Sequence, residues 1–463
     1  MYDNILPLVV GLVKKIIERA ENGELKELDV MASNVKEDLT STSIEIVKEL
    51  IQAANNRLRE DKEARKELGL VIKEKDRPRE LYTDLGMISF TRDYYYDKQN
   101  KTHVAVLDEM LGIEKRERVG GAVKAELISL AADFSYAKST DILTSGAVSR
   151  QTIHDQLLKV SVPETKPPER KETVKELHVY ADEDHAHLQK PSKEKGKKSK
   201  IIPLVTLTEG TRQESRNRNR TINPVHFVDE EFDTKRLWKA VEGYIDKAYD
   251  VSALDAIYVH GDGGQWIRNG LEIFPQTKHI MDGYHFERDL RTIAKIFPRR
   301  NVTIAIRNTL VNDDRKKADA FIQELLSEQL TEKDIDKVGQ FAGYLFCSWE
   351  QIRRRVKGGI PGSCTEAQVS HVLSERFSRD PLGWSETVLG KLTGVRVYIR
   401  NGGEITKNDL KAETKEQERY SEYAERYIQE GIKGAIDFSM FENELPIFDT
   451  DSGTQHAIRK LLQ

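Results

Sequence analysis

Two acids in this sequence stand where a strand is expected to end. Tyr258-Val-His-Gly-Asp-Gly-Gly-Gln-Trp-Ile-Arg268 opens with strand-forming residues, then places Asp262 among glycines ahead of an expected helix. Upstream, Leu177-His-Val-Tyr-Ala-Asp182 repeats the arrangement. A carboxylate at a strand end, on a backbone loosened by glycine, is suited to holding a divalent cation. Two of them point to metal-dependent phosphoryl transfer, in which a pair of ions about 4 Å apart serves the attacking and leaving oxygens. Mg²⁺ takes hard oxygen ligands and keeps several waters, so a few Asp and Glu residues from separate elements suffice. A third acid is expected from a helix packed across those strands. Glu366 is the candidate: it falls in the first turn of a helix after a loop containing Gly358, Gly359, Pro361 and Gly362. Helix-dipole stabilisation alone also favours an acid there. Spacing does not separate Asp182 from Asp184, which share one strand face.

The elements that must position these acids follow from hydrophobic patterning. Strands are expected at 177–182, 201–208, 224–228, 256–261 and 278–281, with a helix over 233–249 between the third and fourth. Three strands, a helix, a strand, a helix and a strand is the order of an α/β RNase H-like core with a mixed sheet, here spanning 177–400. Residues 286–357 read as an all-helical insertion within it. Pro163, Pro167 and Pro168 mark 163–176 as a linker.

Ahead of the linker the chain reads as mainly helical. In 1–80, Ile5, Val9, Leu12 and Ile16 form one stripe, and Ile44, Val47 and Ile51 another. In 81–120 a β-hairpin is expected, Met87 to Tyr96 and Thr102 to Leu107 about the polar turn Asp97–Lys101. In 121–162, Ser135–Leu143 and Ser149–Leu158 read as short helices around the turn Thr144–Val148, with Ser149 as an N-cap. That is either a helix-turn-helix, with Arg150, Gln151 and Thr152 facing DNA, or a plain helical hairpin. Residues 401–463 read as a charged helical tail that, with the N-terminal helices, is a candidate for subunit assembly.

The 463 residues exceed one ordinary core and imply two to four domains. Hydrophobic residues make up 38% and charged residues 32%, which fits a charge-rich cytoplasmic protein. The apolar run from Ile5 to Val13 is too short to span a bilayer. Two cysteines, Cys347 and Cys364, exclude a disulfide scaffold and a cysteine-rich zinc site. His178, His185, His187, His260 and His285 lack compact zinc spacing. No Gly-rich phosphate loop of the Walker type and no nucleophile elbow is present.

A net charge of −4 does not by itself announce nucleic-acid binding, but the charge is uneven. From Ala186 to Arg220 ten basic residues, among them Lys197, Lys198, Arg216, Arg218 and Arg220, oppose three acids. On loops joining the first three strands, that excess suits phosphate contact. Arg353, Arg354, Arg355 and Lys357 form a second basic run before Glu366. Trp266 and Trp384 are open to two readings, stacking on an unpaired base or filling the core.

As an ordered set, Ala181-Asp-Glu-Asp184, His260-Gly-Asp-Gly263, Asp282-Gly-Tyr-His285, Cys364-Thr-Glu366 with Val369-Ser-His371, and Gly383-Trp-Ser385 resemble the DDE transposases of bacterial insertion sequences, in particular the Mutator-related ISLre group. The resemblance runs over about residues 80–400 and implies that Asp182, Asp262 and Glu366 hold two Mg²⁺ or Mn²⁺ ions. It favours Asp182 over Asp184, and gives His285 a place in an Asp-x-x-His element as a phosphate donor or proton shuttle. It implies double-stranded DNA as partner, both element ends and target, with a homo-oligomer bringing two ends together and nucleoid association when bound. Two other readings fit the same residues: a non-catalytic DNA-binding derivative, and a metal nuclease without strand transfer.

Overall fold

The computed structural model describes residues 2–24, 27–190, 198–215, 218–358, 364–380 and 382–410. The expected tail beyond 410 therefore lies outside the described residues. The chain divides into two compact units, one built on residues 1–124 and the other on 125–410.

In the first unit, helices Tyr2–Glu21 and Leu28–Glu60 accompany a three-stranded antiparallel sheet of β1 (Leu70–Thr83), β2 (Gly86–Asp97) and β3 (Thr102–Val104). Leu58, Leu70, Tyr95, Val104 and Val106 form one cluster between helix and sheet; Ala54, Ile88, Phe90 and Leu107 form another. The region expected to be helical up to residue 80 thus ends in a strand. The signal for β1 is hidden because Lys73 to Glu80 is mostly charged and exposed, and register shifts at Ile72/Glu74 and Glu74/Arg77 break the alternation. The expected strand to Leu107 stops at Val104, and a short helix, Val106–Met110, replaces its end. Arg59 holds the fully buried Asp93 through two nitrogens, at 2.8 and 2.6 Å.

In the second unit the main sheet is made of β4 (Glu176–His187), β5 (Ser199–Thr208), β8 (Val225–Phe227), β9 (Ala256–Gly261) and β10 (Thr277–Met281), while β6 (Thr211–Ser215) and β7 (Arg218–Thr221) pair as a separate ribbon. The spatial order is β10-β9-β4-β5-β8. β5 runs antiparallel to both neighbours; β4, β9 and β10 run parallel. One face of the sheet is apolar. Leu177, Val179, Ala181, Ile257 and Val259 pack there against Leu237, Trp238, Val241 and Ile245 of helix Thr234–Ala248. Alternation puts His178, Tyr180, Tyr258 and His260 on the opposite face.

Five helices, Gly283–Ile296, Val302–Val311, Arg315–Leu326, Glu332–Cys347 and Trp349–Val356, follow β10 and bury their own core around Phe286, Leu290, Ile306, Ile322, Phe341 and Leu345. The expected helical insertion is therefore present as a packed body. Chain 365–377 is one helical run whose middle, Ser370–Ser374, is a π turn. Such bulges gather at functional sites. Helices Tyr136–Thr144 and Arg150–Leu157 flank a turn where Ser145 and Gly146 take positive φ, and the Ser149 hydroxyl accepts from the Gln151 N–H at 3.2 Å. Within this unit, helix Arg150–Leu157 packs on helix Glu386–Arg400. The proline-rich segment is pinned by Glu172, whose N–H donates to the Ala248 carbonyl at 2.8 Å. Among the described residues no helix is long and apolar enough to cross a membrane.

Candidate active site

Strand register brings the acids level. Tyr180 pairs with His260 across β4 and β9, and Ile280 pairs with His260 across β9 and β10. Two residues beyond these pairs come Asp262 and Asp282, just past the C-terminal ends of β9 and β10, and Asp182, which lies within β4; the strand expected to end at Asp182 runs on to His187 because its pairing with β5 continues. In open α/β sheets this edge is where ligands bind. Asp262 tops a turn that needs glycine: Gly263 has φ +86°, a region that excludes most side chains, and the Gly264 N–H donates to Asp262 Oδ1 at 2.9 Å. Asp282 is buried and caps helix Gly283–Ile296, accepting from the Tyr284 N–H at 2.9 Å.

Glu366 arrives from the other side. Its helix packs on β4, with Cys364 at the N-cap position beside the Tyr180 hydroxyl. Glu366 and Asp262 are exposed and Asp182 is half-buried. Burial, and then the charges of Glu366, Asp262 and Asp282, push the Asp182 carboxyl up to about 7, against the lowering effect of the Glu183 N–H bonded to it at 2.9 Å. Asp182 thus lies within electrostatic reach of the other three carboxylates. Among the described residues no three His, Cys, Asp or Glu side chains already stand as a closed ligand set. The donor chemistry nevertheless fits a hard divalent cation: like-charged carboxylates at one sheet edge, one of them holding its proton too tightly, gain from a cation between them.

His285 lies 3.6 Å from Asp282, an ion-pair distance rather than a hydrogen bond, and that carboxylate raises the imidazole above its ordinary value. Beneath the acids, His178 and His260 are buried and joined at 3.0 Å, and the Tyr180 ring stacks on His260 at 4.4 Å. Burial lowers both imidazoles, keeping them neutral. The Trp266 N–H donates to Glu183 at 2.8 Å and the Trp384 N–H to the Phe377 carbonyl at 3.1 Å, so both indoles serve packing. Asp184 is buried and accepts from the Ser378 hydroxyl at 2.9 Å.

The expected DNA contacts divide. Arg150 and Gln151 are exposed and Thr152 half-buried at the start of their helix. Lys198 is exposed. Lys197 and Arg216 lie outside the described residues, as does the side chain of Arg218. The basic stretch is not simply two loops: β6 and β7 form a ribbon with Arg212 opposite Arg220, and Arg220 meets Glu214 at 3.4 Å. Lys200, within β5, is paired with Glu386. In the second basic run Arg353, Arg354 and Arg355 are half-buried and Lys357 is exposed. Arg353 meets Asp313 at 3.3 Å, Arg354 donates to the His279 carbonyl at 3.0 Å, and Arg355 lies against Gly283. Sequence reasoning kept Asp282 apart from the acids; the signal it passed over is the equal distance of Asp262 and Asp282 from paired strand residues.

The chain belongs to the uncharacterised protein family UPF0236, whose profile matches residues 19–417. Among its relatives are UPF0236 proteins of Caldanaerobacter subterraneus subsp. tengcongensis. One, whose name joins eleven loci, is 29% identical over 379 residues, covering 81% of this chain and 78% of the relative. Another, whose name joins four loci, is 27% identical over 409 residues, covering 87% and 85%. Among solved structures, the Drosophila P element transposase strand transfer complex aligns with 75% of this chain and 92% of its own at 13% identity, with a TM-score of 0.23. That likeness is too slight to argue from.

Proposed function

We propose that this protein is a DNA transposase with an RNase H-like core, and that Asp182, Asp262 and Glu366 hold two Mg²⁺ or Mn²⁺ ions. The observation that carries the reading is the level placement of Asp182 and Asp262 on adjacent parallel strands, with Glu366 close enough to raise the proton affinity of Asp182. The strand order, with only β5 reversed, supports the fold assignment. Names that join eleven and four loci in one bacterium fit an element that copies itself within a genome.

Bound ions would polarise the phosphate and stabilise both the attacking and leaving oxygens. The chain's own residues do the rest. Asp182, Asp262 and Glu366 would supply the oxygen donors, and the neutral His178–His260 pair adds no positive charge of its own beneath them. Asp282 anchors the helix carrying His285 and holds that imidazole toward its protonated form, suited to donating to a phosphate oxygen. In the first step a water oxygen bonds to phosphorus and the P–O3′ bond breaks, leaving a 3′-hydroxyl and a 5′-phosphate. In the second the oxygen of that 3′-hydroxyl bonds to a target phosphorus and the target P–O3′ bond breaks, the proton passing to the released target 3′-hydroxyl. Double-stranded DNA is the partner, and a homo-oligomer would bring two ends together.

The test is nicking of duplex DNA spanning the borders of the coding region, with Mg²⁺, by the wild type and by Asp262→Asn. The substitution is expected to abolish nicking. Unchanged nicking would remove the site. Joining of precut 3′-hydroxyl ends separates a transposase from a simple nuclease.

A further inference from the structure

Three consecutive arginines end the last helix of the insertion, and each reaches a different neighbour. Arg353 turns back into the insertion, meeting Asp313, which also accepts from the Trp349 indole at 2.9 Å. Arg354 donates to the carbonyl of His279 on β10 at 3.0 Å. Arg355 lies directly on Gly283, the first residue of the helix capped by Asp282; a Cβ there would overlap its guanidinium. Arg355 is also near enough to Tyr180 and His260 to act on both electrostatically. It therefore stands where the insertion, the β4–β9 face and the Asp282 helix meet. Glu366 follows eleven residues later in the chain.

We infer that Arg354 and Arg355 form a clasp that positions the acids: Arg355, seated on Gly283, fixes the end of the insertion against the core and so holds in place the N-terminus of the helix that Asp282 caps. Arg355 is a positioning residue in this account, not a phosphate contact. Its half-buried place and its fit to a glycine distinguish it from a solvated charge run. Gly283 has a matching reason to be glycine. Any larger residue would push the guanidinium away and release the clasp, whatever the helix itself prefers.

The inference rests on the proposed metal site, and the experiment separates the two. Mn²⁺ binding and thermal melting are measured on the full chain for Gly283→Ala, Arg355→Ala and the double variant. Binding of a random-sequence DNA duplex is followed over a salt series. Gly283→Ala is expected to lower the melting temperature and weaken Mn²⁺ binding about tenfold, a change of about 1.4 kcal/mol. Arg355→Ala, which removes the clasp itself, should weaken Mn²⁺ binding to a similar degree, and the double variant should bind no more weakly than either single variant. DNA affinity and its salt slope should stay unchanged in Arg355→Ala. Additive effects of the two substitutions would overturn the clasp. So would a salt slope reduced by about one in Arg355→Ala, the signature of a lost phosphate contact. If Gly283→Ala does not fold, Arg355→Ala alone decides: weakened Mn²⁺ binding with unchanged DNA affinity supports the clasp, and Mn²⁺ binding like the wild type overturns it. Should Asp262→Asn and Glu366→Gln bind Mn²⁺ like the wild type, it is the metal site that fails; if they lose Mn²⁺ and Arg355→Ala binds it like the wild type, only the clasp fails.

Discussion

Tyr180 and His260 face each other across β4 and β9 with rings stacked at 4.4 Å, and each sits two residues before an acid, Asp182 and Asp262. The pair is thus a spacer: it fixes strand register below the point where the carboxylates emerge. A slip of one residue would turn one acid to the opposite face of the sheet. Replacing Tyr180 with Ala should therefore cost more in metal affinity than replacing it with Phe, which keeps the stack. Titration with Mn²⁺ checks this; equal losses would show that the ring has no spacing role.

Asp182 gives the protein a pH signature. An exposed Asp titrates near about 3.9, whereas this carboxyl is raised to about 7. The folded state then holds the proton more tightly than the unfolded chain. That contribution to stability is complete below about pH 4 and is lost as the pH rises through about 7. Metal-free protein should accordingly be less stable at pH 8 than at pH 5.5, and Asp182→Asn should flatten the dependence. Mg²⁺ should restore stability mainly at the higher pH, since it binds the folded form. Chemical denaturation in chelator and in Mg²⁺ measures all three.

The Asp282–His285 relation makes a second prediction about protonation. The carboxylate raises the imidazole, so Asp282→Asn should lower the His285 titration midpoint toward about 6.5. A histidine-labelled NMR titration reads this directly. An unmoved midpoint would assign the shift to another neighbour.

Much of the second unit was legible in the sequence. Four of the five strands and helix Thr234–Ala248 lie close to the expected spans because their apolar runs are short, periodic and bounded by turn residues; β4 runs five residues past its expected end at Asp182, through the mostly charged and polar Glu183–His187. The insertion was legible because each of its helices carries its own buried stripe. What escaped notice has specific causes. The strand β1 is charged and bulged, so it carries no alternation. The ribbon of β6 and β7 is polar throughout and looks like loop. The seat of Arg355 on Gly283, some seventy residues earlier in the chain, is encoded by no local pattern.

In the first unit the buried pair of Arg59 and Asp93 should dominate local stability. Arg59→Ala leaves a fully buried carboxylate without its main partner, and a loss of about 3 kcal/mol is expected. Asp93→Asn in the same background should recover part of it by removing the stranded charge. Urea denaturation of the two variants provides the comparison; a loss within the error of a surface substitution would contradict the assignment.

The claim on which the rest depends is that Asp182, Asp262 and Glu366 act as one set of metal ligands. Electron paramagnetic resonance of Mn²⁺ with the wild type and with the triple variant Asp182→Asn, Asp262→Asn and Glu366→Gln tests it most directly. The account predicts protein-bound Mn²⁺ in the wild type and only the free-ion signal in the triple variant. Equal binding by the two would contradict it.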